Sequence, residues 1–232
     1  VIDTIEEIPQ TMRTAFRAMT TGKPGSAHLG LPYDLQKQTF AGDDIRAQAE
    51  HGRIPSWRSG PDPEDVSKAV DALLAAKLPI FVVGGGIVSS DGCDALETLA
   101  NDLHAPVCTT ITGKGAIAET HPLSVGVVGA NGGVDATRDV LAQADLVIFV
   151  ACRAGSTTTE HRTVPSAGIP IIHIDIDPMT ISCNYQTDVA MVADAKLALE
   201  AIGTGVKSRL HERRKDAVAG APIVAAAQPE KW

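Results

Sequence analysis

The sequence is poor in aromatic residues and in cysteine. Phenylalanine, tryptophan and tyrosine together make up 3% of the 232 residues, and the four cysteines are spaced without a C-x-x-C pair. This spacing predicts neither a zinc site nor a disulfide framework, so we expect a reduced setting and a cytoplasmic location. The sequence also lacks an apolar run of about 18 residues, and we therefore expect no membrane span.

Positive charge is in the minority. The chain has 20 Lys and Arg against 28 Asp and Glu, which gives a net charge of -8. This balance argues against a nucleic-acid partner, since proteins that bind nucleic acid present positive charge to the phosphates. With 44% hydrophobic residues, the chain is long enough to bury a core. We expect a globular protein that binds neither nucleic acid nor membrane.

Periodicity divides the chain into an opening segment and a longer alternating part. Apolar spacings of three and four predict a helix over Ile5–Thr20, and a short strand is predicted over Ala27–Leu31. Glycine and proline interrupt residues 41–62, which favours a linker there. Beyond it, helices are predicted over 63–77, 92–104, 133–143 and 194–202, with a short one from Pro178, and strands over 79–84, 106–111, 145–151, 170–175 and 188–193.

The strands of the alternating part are apolar without interruption. Ile80–Val83 and Leu146–Val150 show this pattern, which indicates burial on both faces of a sheet. Strands separated by helices imply right-handed parallel crossovers. We therefore predict an α/β fold, a doubly wound parallel sheet of the Rossmann-like kind. Such sheets bind ligands beyond the carboxyl ends of their strands.

The loop after the first of these strands is rich in glycine. Gly84–Ser89 reads G-G-G-I-V-S, and glycines after a strand let backbone N–H groups approach a pyrophosphate. However, Ser89 stands where a dinucleotide motif has Gly or Ala, and the next strand ends in Thr109 and Thr110 without a carboxylate for a ribose. Three hypotheses stay open: an NAD site, a glycine turn that starts the next helix, and a nucleotide bound in another pose.

Other polar features favour ordinary structural roles. Lys114 in G-K-G lacks the P-loop glycine five residues before Gly113 and the Ser or Thr that follows the lysine of a P-loop, and His121 has no second ligand at metal spacing. Residues 160–161, Glu-His, are typical of an exposed polar loop. The basic run 206–215 is predicted to be solvated, and residues 217–232 to be flexible. We predict no catalytic residue and no metal site in this chain.

Three segments, taken in order, resemble one family. Cys108–Gly126 reads C-T-T-I-T-G-K-G-A-I-A-E-T-H-P-L-S-V-G, in which a buried strand, G-K-G, an acidic residue and H-P follow one another. Pro24–Asp34 precedes it with P-G-S-A-H-L-G-L-P-Y-D, and His173–Pro178 follows with H-I-D-I-D-P. Together they resemble the FAD/NAD-binding central domain of thiamine-diphosphate-dependent enzymes of the acetolactate synthase type, preceded by the end of their pyrimidine-binding domain.

The resemblance implies a piece of a three-domain enzyme. It assigns residues 1–40 to a C-terminal remnant of the pyrimidine-binding domain, 41–62 to a linker, 63–202 to the central domain, and 203–232 to a connector toward a diphosphate-binding domain. The family's activating glutamate and its G-D-G signature are expected outside this sequence. The implied parent is a 2-oxo-acid carboligase or decarboxylase, a transferase or lyase. It uses thiamine diphosphate and Mg²⁺ and forms a homodimer or tetramer, whereas this segment alone is not expected to be catalytic.

The resemblance also implies a cleft for a nucleotide. Acetolactate synthases hold FAD in this domain without redox chemistry, and oxalyl-CoA decarboxylases hold ADP there. Carried over by motif, the implied cofactor-binding residues are Gly84, Gly85, Gly86, Thr110, Ile111, Thr112, Gly129, Asn131, Gly132, Arg153, Asp175 and Asp194.

Two departures from the family pattern leave the occupant of this cleft open. FAD-binding members read G-x-R-F-D-D-R where this chain has A-C-R-A-G-S-T at 151–157, and G-M-H-G where it has G-A-N-G at 129–132. The first change removes a second arginine, and the second removes apolar contact area. FAD, ADP and an empty cleft that serves only as scaffold therefore all stay open, beside a free-standing NAD-type nucleotide-binding enzyme.

Overall fold

The computed structural model describes residues 1–42 and 45–227. The chain divides into two compact units, residues 1–58 and 59–232. The first unit is built on helix α1 (Ile8–Thr20), which a 3-10 turn over Ile5–Glu7 precedes. This helix was predicted from its apolar spacing, and Pro9 falls in its first turn, where the missing N–H costs no hydrogen bond.

The strand predicted over Ala27–Leu31 is wrong, because these residues have no regular structure. A strand needs a neighbouring strand to pair its backbone groups. Here the amide of Ile2 donates to the carbonyl oxygen of Gly30 at 3.0 Å without forming a strand pair. Of the predicted linker, Asp43 and Asp44 lie outside the described residues. Two further 3-10 turns cover Leu35–Lys37 and Ala49–Gly52.

The second unit is a six-stranded, all-parallel sheet with the order β3-β2-β1-β4-β5-β6. This confirms the predicted doubly wound α/β fold. The strands are β1 (Pro79–Val83), β2 (Val107–Thr109), β3 (Ser124–Val127), β4 (Leu146–Val150), β5 (Ile171–Asp175) and β6 (Val189–Val192).

Helices cover both faces of this sheet. The helices are α2 (Pro63–Ala75), α3 (Gly86–Ser89), α4 (Cys93–Leu103), α5 (Asp135–Leu141), α6 (Ala195–Arg209) and α7 (Gly220–Ala227). Alternate residues of β1 point to opposite sides, so that Phe81 packs with α2, α4 and α6, while Ile80 packs with α5 and α7. Asp62 caps α2, accepting the amide of Glu64 at 2.8 Å.

Strand β3 is absent from the sequence prediction. Its sequence S-V-G-V contains Gly126 at φ 102°, and its pairing with β2 shifts register between Val107 and Cys108. A glycine inside a short apolar run weakens the strand pattern, and the sequence therefore predicts no strand over these residues. Conversely, the short helix predicted from Pro178 is wrong, because residues 178–182 form turns.

The C-terminal part of the chain is more ordered than its composition suggested. Helix α6 continues to Arg209, past the predicted end at residue 202, and the stretch predicted to be flexible contains α7. Val224 of α7 is 2% exposed in the core beside α5. Between these helices, Arg213 donates to the carbonyl oxygens of Leu73 and Leu103 at 3.1 and 3.0 Å. The prediction of a solvated run is therefore wrong at Arg213.

Candidate functional site

The strand order of the sheet reverses between β1 and β4. Strand β1 lies between β2 and β4, so the loops after β1 and β4 leave the sheet side by side and turn to opposite faces. The amide of Gly84 donates to the carbonyl oxygen of Val150 at 2.9 Å, which joins the two loops at their start. Crevices of this kind are where doubly wound sheets bind ligands.

The three glycines after β1 are packed against the chain's own backbone. A Cβ on Gly84 would collide with the carbonyl oxygen of Ala151, and a Cβ on Gly86 would lie 2.7 Å from the Cβ of Ala151. A Cβ on Gly85 would lie 2.8 Å from the carbonyl oxygen of Thr112. The absence of side chains here is thus required by the close approach of two neighbouring loops, whether or not a ligand binds.

The exit of β2 forms one wall of the cleft. The amide of Thr110 bonds to the carbonyl oxygen of Val83 at 2.9 Å, and its hydroxyl accepts the amide of Gly113 at 3.1 Å. Thr110 is buried, and its hydroxyl group is engaged in a hydrogen bond within its own turn. Ile111, which is 47% exposed, and Thr112 stand at the rim.

The turn after β3 forms the next wall. Gly129 adopts φ 100°, and a Cβ there would lie 2.7 Å from the Cα of Thr158. The amide of Ala130 donates to the carbonyl oxygen of Thr157 at 2.8 Å, which ties this turn to the loop after β4. Asn131 and Gly132 are exposed, and a Cβ on Gly132 would lie 3.7 Å from the Ile111 side chain.

Arg153 stands in the loop after β4 between two alanines in the left-handed region, Ala151 at φ 47° and Ala154 at φ 46°. Its side chain is exposed. Within residues 1–42 and 45–227, the Arg153 guanidinium makes no hydrogen bond and no ion pair. An unpaired guanidinium at the carboxyl edge of a sheet is available to an anionic ligand.

The two predicted acidic residues hold the backbone near them. Asp175 is buried at the end of β5 and accepts the amide of Asp177 at 2.9 Å. Asp194 is 4% exposed and caps α6 by accepting the amide of Leu197 at 3.1 Å. Asp194 follows β6, at the opposite edge of the sheet from β3. The structure thus brings the glycine, threonine and arginine loops together and leaves Asp194 apart from them.

Two side chains that hold the Arg153 loop were not identified as site residues from the sequence. The ring Nε2 of His173 donates to the carbonyl oxygen of Cys152 at 2.8 Å, and Asn184 donates to the carbonyl oxygen of Arg153 at 3.0 Å. His173 could have been identified from the sequence, because a histidine within an apolar strand indicates a buried polar side chain. No sequence pattern marks Asn184. Burial lowers the pKa of His173 and raises the pKa of the Cys152 thiol to about 11.

The remaining polar candidates are engaged with near neighbours. Lys114 pairs with Glu119 at 3.0 Å, and the ring of His161 bonds to the hydroxyl of Ser156 at 3.0 Å. Glu160 lies 3.6 Å from Arg138. Across the described parts of the chain, no cluster of three His, Cys, Asp or Glu side chains could hold a metal ion. None of the helices described there has the length and apolar character needed to cross a membrane.

Comparison with known proteins identifies the fold and the family. Residues 66–202 match the family model "Thiamine pyrophosphate enzyme, central domain". A Methanococcus aeolicus protein named probable acetolactate synthase large subunit is 36% identical over 84% of this chain and 33% of its own length. The large subunit of acetolactate synthase isozyme 1 from Escherichia coli is 32% identical over 82% of this chain and 33% of its own length.

A solved structure shows the same fold. Benzoylformate decarboxylase from Polynucleobacter necessarius superposes with a TM-score of 0.70 and 22% identity, covering 93% of this chain and 38% of the decarboxylase. The chain thus spans about a third of the length of the acetolactate synthase subunits that it matches.

Proposed function

Because this chain belongs to the thiamine pyrophosphate enzymes and contains their central domain, we propose that it serves in a 2-oxo-acid carboligase or decarboxylase of the acetolactate synthase type. Relatives named acetolactate synthase at 36% and 32% identity support the carboligase side of this proposal. The chain spans about a third of those relatives, so the activity belongs to the whole protein. The partners of this segment would be the other domains of its parent, in a homo-oligomer.

Thiamine diphosphate supplies a carbanion that can attack a carbonyl carbon, and the protein supplies position and electrostatics. In the described residues, no carboxylate, histidine or cysteine of the cleft has an arrangement suited to proton transfer. His173 and Asp175 are buried and bonded to backbone groups. We therefore assign this segment a supporting role rather than a catalytic one, with thiamine diphosphate and Mg²⁺ held elsewhere in the parent.

For the cleft itself, we propose an adenine nucleotide as the structural ligand. The observation that carries this proposal is the exposed guanidinium of Arg153, which is unpaired within the described residues of a chain with a net charge of -8. Arg153 fits a phosphate group, since a guanidinium binds phosphate with parallel charge-assisted hydrogen bonds. The loops after β1, β2, β3 and β4 meet beside it and present small, threonine and asparagine side chains.

The lining favours ADP over FAD. A flavin ring needs a broad apolar wall, and among the rim residues 84–86, 110–112, 129–132 and 151–157 only Ile111 is a large apolar side chain, with the rest small or polar. The turn at 129–132 contributes alanine and asparagine. The second arginine and both aspartates of FAD-binding members are also absent from residues 151–157. A nucleoside diphosphate has no flavin ring and does not need this apolar wall.

The scaffold hypothesis rests on a separate observation. The spaces next to Gly84, Gly85 and Gly86 are filled by the chain's own loops, so the glycines are explained without a ligand. Under this hypothesis the cleft is empty, and the domain acts as a spacer between the other two. The two hypotheses differ in one property, which is the affinity for nucleotides.

Calorimetric titration of FAD, ADP and NAD distinguishes them. We expect ADP to bind, and Arg153→Ala to weaken binding by about 10- to 100-fold, as expected for the loss of one charge-assisted contact of about 1.5–3 kcal/mol. Lys207→Ala is the matched control, since it removes an exposed positive charge from α6. Absence of binding at millimolar concentration would establish the scaffold, and tightest binding of NAD would favour a free-standing NAD-type enzyme.

A further inference from the structure

Two consecutive backbone carbonyl groups at Arg153 are held by side chains from other parts of the fold. The imidazole Nε2 of His173, in β5, lies 2.8 Å from the carbonyl oxygen of Cys152. The amide nitrogen of Asn184, in the loop after β5, lies 3.0 Å from the carbonyl oxygen of Arg153. The backbone on both sides of the arginine is thus attached to β5 and to the loop that follows it.

The orientation of the Asn184 amide follows from its two neighbours. Its oxygen accepts a hydrogen bond from the Arg162 guanidinium at 3.2 Å, and its nitrogen donates to the carbonyl oxygen of Arg153. A guanidinium can only donate and a carbonyl can only accept, so only this orientation satisfies both partners. The next residue, Tyr185, donates to the carbonyl oxygen of Val164 at 3.2 Å. Asn184 and Tyr185 therefore hold both ends of the segment 153–164.

This attachment is needed because the loop is conformationally costly. Ala151 and Ala154 adopt the left-handed region, and so do the three consecutive residues 160–162. Each non-glycine residue in that region is held only where the surrounding structure determines its conformation. Yet the side chain at the start of the held segment, the Arg153 guanidinium, has no partner in the described parts of the chain. The fold thus fixes the backbone of a residue whose charged group points away from the fold.

We propose that Asn184, supported by His173, is a positioning residue for Arg153 and holds its guanidinium ready for the phosphate of the cleft ligand. This inference rests on the proposed nucleotide cleft. A side chain on a fixed backbone binds more tightly, because the ligand does not have to order the backbone that carries it. Asn184 does not need to touch the nucleotide, and its effect on affinity passes through Arg153.

A double-mutant cycle on the full chain tests this. ADP affinity is measured by calorimetry for the unmodified chain, Asn184→Ala, Arg153→Ala and the double variant. We expect Asn184→Ala to weaken ADP binding by about 3- to 10-fold, the range of one neutral hydrogen bond. In the Arg153→Ala background the same change should have no further effect, because coupled residues are not additive. The salt dependence of ADP binding should also fall in Asn184→Ala, toward that of Arg153→Ala.

Gln186→Ala is the matched control, since it removes an exposed amide two residues away that makes no hydrogen bond in the described structure. It should leave the ADP affinity unchanged. Asn184→Ser gives a second variant that lacks the amide donor, in case the alanine variant unfolds, and circular dichroism verifies that each variant is folded.

Each outcome decides the inference. Unchanged affinity in Asn184→Ala, or an equal loss with and without Arg153, overturns the positioning role and leaves the proposed nucleotide cleft intact. Failure of the unmodified chain to bind ADP overturns the cleft ligand and, with it, the positioning role. A loss that disappears in the Arg153→Ala background supports both.

Discussion

Arg213 connects the C-terminal segment to the ends of two helices, and its removal provides the sharpest test of the fold. The guanidinium donates to the carbonyl oxygens of Leu73, in the last turn of α2, and Leu103, at the end of α4. The last carbonyl groups of a helix have no partner within the helix, and they carry the negative end of its dipole. One arginine therefore satisfies two helix ends that lie 30 residues apart in the sequence. Burial lowers the pKa of Arg213, but a guanidinium stays charged in proteins.

Arg213→Ala should lower the free energy of unfolding of the second unit by about 2 kcal/mol. Two hydrogen bonds to a charged group contribute up to about 1.5–3 kcal/mol each. The loss is smaller than this sum because Arg213 is half-buried and water can reach the two carbonyl groups in its absence. For a domain of this size, 2 kcal/mol corresponds to a fall in Tm of about 4–8 °C. Arg213→Lys keeps the positive charge but lacks the planar guanidinium that donates to both carbonyl oxygens, so it should lower the free energy of unfolding by about 1 kcal/mol.

Guanidinium chloride unfolding followed by circular dichroism measures these differences. Lys215→Ala is the matched control, because Lys215 is an exposed cation that makes no bond in the described structure, and it should change stability by less than about 0.5 kcal/mol. Hydrogen exchange should in addition accelerate in the last turns of α2 and α4 in Arg213→Ala. If Arg213→Ala were no less stable than Lys215→Ala, the segment after α6 would be a solvated connector after all, as its composition suggests.

Two further predictions concern pH and activity. Burial lowers the pKa of His173 below its ordinary 6.5, so the unfolded chain binds more protons than the folded chain, and the free energy of unfolding should fall as the pH drops below about 6.5. His173→Gln keeps a hydrogen-bond donor for the carbonyl oxygen of Cys152 and should make the free energy of unfolding less dependent on pH in denaturant titrations at pH 5 to 8. An unchanged pH dependence in this variant would assign the effect to other histidines. The segment alone should give no decarboxylation or carboligation of pyruvate with added thiamine diphosphate and Mg²⁺, and turnover above background would show that its own cleft is catalytic.

The central strands of the sheet could be predicted because uninterrupted runs of apolar residues indicate strands that are buried on both faces. Ile80–Val83 and Leu146–Val150 are buried on both faces, as their uninterrupted apolar sequences indicate. Ala27–Leu31 was predicted by the same kind of local pattern, but strand formation depends on a pairing partner, which local sequence does not show. Strand β3 was missed for the converse reason, since Gly126 weakens its pattern while β2 supplies the pairing.

The C-terminal segment could not be predicted because its stabilising contacts are remote in sequence. Arg213 bonds to residues 140 and 110 positions away. Composition alone describes such a segment as basic and solvated. The same holds for Asn184, whose partner Arg153 is 31 residues away. In contrast, the position of Arg153 at the cleft follows from the end of an apolar strand, which is a local feature.

The glycine loop shows why a motif of this kind does not by itself establish a ligand. Glycine is required wherever two backbones approach closely, and in this fold the loops after β1 and β4 approach each other where the strand order reverses. Gly84 meets Ala151 there, so the same three glycines would be selected with or without a phosphate. The positive charge of Arg153 has no such structural explanation, because its guanidinium makes no hydrogen bond and no ion pair within the described residues. The case for a nucleotide in this cleft therefore depends on that one side chain and on the residues that hold its backbone.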